Sequence, residues 1–81
     1  MEIMGMEQQE RILRLAEVKA RTGLGRSAIY MRISLGTFPK PVPLSTRKDG
    51  RAALIGFPES EIQAWIRRTI AEGRGEPRVG A

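Results

Sequence analysis

The chain has 81 residues, 14 Lys/Arg against 9 Asp/Glu for a formal charge of +5, and neither Cys nor His. That length holds one small domain, and the missing residue types exclude disulfides, thiolate metal sites, cysteine nucleophiles and histidine acid–base chemistry. No apolar run nears the roughly 20 residues that span a bilayer, and the first seven residues lack the basic and apolar regions of a secretory signal, so the expected setting is the cytoplasm.

The charge is unevenly spread. Residues 11–51 hold ten cations (Arg11, Arg14, Lys19, Arg21, Arg26, Arg32, Lys40, Arg47, Lys48, Arg51) against Glu17 and Asp49, a net +8. The rest holds four arginines against seven glutamates, a net −3. A basic half of this kind points to a polyanionic partner, nucleic acid first among them.

Residues 1–10 read as a flexible lead-in, 11–72 as the folded domain and 73–81, rich in Gly, as a disordered tail. Ile12 to Leu15 is a short run leading into a helix in which Leu15, Val18 and Thr22 share a face. Gly23 ends that helix, and a second begins after Gly25, running from Arg26 to Leu35 with Ile29 and Ile33 as its apolar pair and Gly36 as its stop. Two helices joined by a three-residue glycine turn have the spacing of a helix-turn-helix.

Phe38 to Leu44 carries prolines at alternate positions 39, 41 and 43, which forbid helix and suit an extended edge strand. The Asp49-Gly50 turn and the apolar return Ala52–Phe57 complete a β-hairpin with a basic tip. The last helix opens on Pro58 with Glu59 and Glu61 in its first turn. It carries Ile62, Trp65, Ile66 and Ile70 on one stripe and is expected to stop at Gly73. The predicted fold is mainly α with a small β-hairpin wing, a winged helix-turn-helix.

Catalysis finds no residues to perform it: the serines have no base to activate them, and the carboxylates are dispersed. No cofactor, metal or small-molecule ligand is expected. Gly23-Leu24-Gly25 lacks the preceding strand and third glycine of a phosphate loop, and the prolines fall two apart rather than in P-x-x-P spacing. Trp65 belongs to the core stripe, while Tyr30 suits either the core flank or a phosphate contact. Arg26 and Ser27, at a helix N-terminus, are placed to enter a major groove, with Tyr30 and Arg32 beside them. Lys40, Arg47, Lys48 and Arg51 supply charge for the backbone or adjacent minor groove. With aromatics at 5% of the chain, single-stranded RNA has no stacking platform, and double-stranded DNA is the expected partner.

Four blocks carry a family resemblance: Leu13-Arg14-Leu15-x-Glu17-Val18, Thr22-Gly23-Leu24-Gly25-Arg26-Ser27-Ala28-Ile29-Tyr30, Gly36-x-Phe38-Pro39-x-Pro41-Val42, and Ser60-Glu61-Ile62-Gln63-Ala64-Trp65-Ile66. In this order they resemble the AlpA-like regulators of bacteria and their phages, within the wider excisionase and MerR-like winged-helix group. The resemblance covers about residues 12–72. It implies a small DNA-binding transcriptional regulator acting on the nucleoid, with the helix that starts at Arg26-Ser27 in the major groove. An excisionase-like directionality factor is the neighbouring alternative, with an integrase or a second copy as further partner; a basic adaptor for an acidic protein is the alternative from another class. Gly25 and Ala28 stand where the family pattern has Ser and Thr, and the loop from Ser45 to Arg51 is longer and more basic than the pattern. A last helix ending at Gly73 leaves no room for the coiled-coil dimer of MerR-like proteins.

Overall fold

A computed structural model describes residues 9–75. The expected lead-in up to residue 8 and the tail from residue 76 lie outside the described residues. Strand β1 (Ile12–Leu13) passes at Arg14 into helix α1 (Leu15–Thr22), where the Arg14 amide donates to Glu17 Oε1 at 3.3 Å and fills one of the open positions at the helix start. Thr22 ends α1. Its hydroxyl donates to the Val18 carbonyl at 2.8 Å and accepts from the Leu24 amide at 3.2 Å, while Gly23 takes a left-handed φ of 75° that a side chain would resist. Helix α2 (Arg26–Leu35) follows three residues later, so the helix-turn-helix spacing holds.

The wing starts later than its prolines suggested. Phe38 is not in a strand; it drops into the core at 5% exposure, and the strand β2 is Val42–Thr46. It pairs antiparallel with β3 (Ala52–Pro58). The sheet has three strands rather than two, because Leu13 pairs with Phe57 and Ile12 with Pro58 in the order β1-β3-β2. Pro43 therefore lies on an edge, where a missing donor is tolerated. Helix α3 (Glu59–Arg74) runs through Gly73 and stops at Gly75, whose φ is 71°. Gly73 costs the helix about 1 kcal/mol relative to Ala but does not break it.

The buried core consists of Leu13, Val18, Ile29, Phe38, Phe57 and Ile62, with at least one residue from each helix. Each side chain of this size contributes about 1.5–3 kcal/mol by leaving water. Three rings continue the core outward. Phe57 meets Phe38 edge-on at 6.2 Å, and Phe38 meets Trp65 at 4.8 Å. Trp65 is half-buried, and its indole N–H donates to the Thr37 carbonyl at 2.8 Å. The loop after α2 is thus fixed to α3. Ile70, expected on the buried stripe, is 46% exposed because the core ends one turn earlier.

Gly56 in the central strand is buried beneath two neighbours from the flanking strands. A Cβ there would collide with Ile12 Cγ2 and stand 3.1 Å from Leu44 Cδ1 and 3.4 Å from the Leu13 carbonyl. Gly56→Ala should cost about 1–3 kcal/mol, read as a lower urea midpoint; an unchanged midpoint would show that Ile12 moves aside freely.

Glu10, at the end of the expected lead-in, belongs to the fold. Its carboxylate accepts from the Ser60 hydroxyl and from the Ser60 amide at 3.1 Å, closing the first turn of α3. The Ser60 hydroxyl above all, and then the Ser60 amide, hold this carboxyl below the ordinary glutamate range. A lowered folded-state value gives stability that is present above the ordinary range and lost as pH falls through the lowered value. Wild type should therefore outlast Glu10→Gln in urea at neutral pH, and the two midpoints should converge under acid. Parallel curves would show that Ser60 does not hold the charge.

Candidate nucleic-acid interface

Arg26, Ser27, Tyr30 and Arg32 share helix α2, Lys40 lies in the connection to β2, and Arg47, Lys48 and Arg51 gather at the hairpin turn. The α2 residues divide further. Arg26 and Ser27 are exposed at the N-terminus, whereas Tyr30 and Arg32 are half-buried.

The start of α2 is open in a specific sense. Gly25 is the capping residue, and no side chain bonds the first amides; its carbonyl accepts from the Ile29 amide at 3.0 Å, the first turn of the helix ladder. The first turn carries no acidic residue, and neither does the rest of the helix. Amides without a protein acceptor, at the positive end of a helix dipole, favour an anion. Ile29 anchors the helix from beneath at 0% exposure.

Arg26 is held in place by its neighbour one turn on. Its guanidinium carbon lies 5.5 Å from the centroid of the Tyr30 ring, a cation–π separation. Tyr30, half-buried on the helix, is thus a platform for Arg26. Arg32 behaves differently: one Nη donates to the Ala28 carbonyl at 3.3 Å, back along its own helix.

The wing tip is built by Asp49. Its carboxylate accepts from the Arg51 amide at 3.0 Å and lies 3.9 Å from Arg47 Nε. The Arg47 amide bonds the Arg51 carbonyl at 2.7 Å, the Gly50 amide bonds the Arg47 carbonyl at 2.9 Å, and Gly50 has a φ of 88°. The aspartate makes the turn and draws Arg47 toward itself. Lys48 and Arg51 form no ion pair among the described residues.

Two cations of the basic half point elsewhere. Arg11 bonds Glu17 at 3.1 Å and Glu59 at 3.5 Å, and Arg21 meets the same Glu59 oxygen at 2.7 Å. These arginines join β1, α1 and α3 and are neutralised there. One residue escaped the sequence reading: Met31 is 55% exposed on α2, and its place midway between Ile29 and Ile33 was the available signal. Among the described residues no group of three or more carboxylates or other ligating side chains is placed to hold a metal ion. No helix there is long and apolar enough to cross a membrane.

A curated protein printed as "Uncharacterized protein ORF88", from Enterobacteria phage P4, is 40% identical over 63 residues, 78% of this chain and 65% of the relative. The chain thus spans just under two thirds of that relative's length. No solved structure matches with significance. The family profile described as prophage CP4-57 regulatory protein (AlpA) matches residues 11–70, from the arginine before β1 into the last turns of α3. The chain belongs to the AlpA family of phage and prophage regulatory proteins.

Proposed function

We propose that the chain is a sequence-specific regulator that binds double-stranded DNA, with α2 in the major groove and the wing tip against the backbone or the adjacent minor groove. The observation that carries this reading is the N-terminus of α2: exposed, uncapped by any side chain, free of acidic residues, and carrying Arg26 stacked on Tyr30. An α-helix fits the major groove, and an arginine there pairs bidentately with O6 and N7 of guanine. The amides of the same turn suit a phosphate. Ser27 stands beside Arg26 as a second polar contact, and Arg32 and Lys40 add charge along the approach.

Lys48, Arg51 and Arg47 at the wing tip serve affinity rather than base choice, because phosphate contacts position a protein without reading sequence. The geometry serves a promoter regulator and a recombination directionality factor equally. The family's printed description, a regulatory protein, favours the first. Such a protein works in the cytoplasm of a bacterial host, bound to the nucleoid, and needs no cofactor.

Two variants, one single and one double, test the division of labour. Arg26→Ala should cost about 1–3 kcal/mol on the selected site and reduce discrimination against random duplex, measured by competition binding. Unchanged discrimination would remove Arg26 from base reading. Replacing Arg47 and Lys48 together by Ala should weaken binding to every duplex and flatten the log–log salt dependence by about 0.9 per lost phosphate contact. A wild-type salt slope would take the wing tip off the DNA. Failure of the wild-type chain to shift any duplex at low salt, with capture of an acidic protein instead, would replace the DNA reading with the adaptor one.

A further inference from the structure

We infer that Met31 reads the C5-methyl group of a thymine in the major groove, at a base pair next to the one contacted from the N-terminus of α2. The inference rests on the DNA reading above and gives it a second, apolar determinant.

Helical geometry places Met31 at the centre of the exposed face. Ile29 and Ile33 mark the inward side of α2, one fully buried and one packed against the core. At about 100° per residue, Met31 lies about 180° from their midpoint. Ser27 and Leu35 then fall about 40° to either side, and Ser34 about 60° away. Arg26, by contrast, starts about 40° from the inward midpoint, and its guanidinium lies over Tyr30. The part of α2 that would enter a groove first is therefore Met31, 55% exposed, flanked by a small hydroxyl residue on one side and Leu35, 68% exposed, on the other.

Charge selects the occupant of this apolar pole. Helix α2 has Arg26 and Arg32 and no acid, so a second copy of the helix would meet like charge, whereas a polyanion would not. On the major-groove edges of unmodified base pairs, the apolar feature is the thymine methyl. A long, unbranched thioether adapts to such a methyl without demanding one geometry. Ser27, one turn before Met31, is short enough to let the helix approach closely.

The test uses the full-length chain and a duplex it enriches from an unmodified random pool, in which thymine is the sole source of a C5-methyl. Each thymine of that duplex is replaced in turn by deoxyuridine, which removes the methyl alone. At one position the replacement should weaken wild-type binding on the order of fourfold, the worth of one buried methyl group. Met31→Ala and Met31→Gln should bind the thymine and uracil duplexes equally, and Met31→Leu should keep the preference. The ratio of two duplexes is insensitive to any loss of folded fraction, because both meet the same protein. No sensitive thymine, an undiminished preference in Met31→Ala, or loss of all binding in that variant would each overturn the inference while leaving DNA binding intact as established by the wild-type chain. Enrichment of no duplex at all would instead overturn the DNA reading, and this inference with it.

Discussion

Phe57 faces inward from the central strand, paired with Leu13 across β1 and edge-on to Phe38, whose ring in turn meets Trp65 of α3. Through this line of rings the three-stranded sheet, the loop that leaves α2 and the long last helix share one packed interior. Edge-to-face contacts of this kind add about 0.5–1.5 kcal/mol each beyond area burial. In a core of six fully packed side chains such terms are a sizeable share of net stability. They also fix geometry. Trp65 holds the Thr37 carbonyl, so the loop that leads from α2 toward the wing is tied to a helix that itself presents no candidate contact.

Much of this was legible in the sequence, for reasons that can be located. Both ends of α2 followed from Gly25 and Gly36, because glycine is where a helix can start or reverse without a side chain. The hairpin followed from Asp49-Gly50. What escaped were contacts between residues distant along the chain. Ile12 and Leu13 are too few to signal a strand, and only their pairing with Phe57 and Pro58 makes them one. Phe38 sits among prolines and reads as extended chain, yet its ring is core. Glu10 looks like part of a polar leader until Ser60, fifty residues on, supplies its partner. Gly73 reads as a stop because local propensity favours one, but the helix continues to a glycine two residues later that takes the left-handed conformation.

The charge count teaches a related lesson. Ten cations in one stretch form a sequence pattern; their directions are a property of the fold. Arg11 and Arg21 converge on Glu59, holding the start of α3 to β1 and α1, and Asp49 partly screens Arg47 while shaping the turn. The residues left to face a partner are fewer and better placed than the count suggested. The candidate site is correspondingly compact: Arg26 stacked on Tyr30, Ser27 and the exposed Met31 on α2, Arg32 and Lys40 beside them, and at the wing tip Arg47 with Lys48 and Arg51, the latter two without an ion pair among the described residues.

Prolines 41 and 43 have an effect beyond the domain itself. A free strand edge is a template on which another chain can add, and β2 is such an edge. With Pro43 inside that strand and Pro41 just before it, the run of donors that a newcomer would need is interrupted. Copies of the chain brought close together therefore meet, at β2, an edge that offers no continuous template for strand addition.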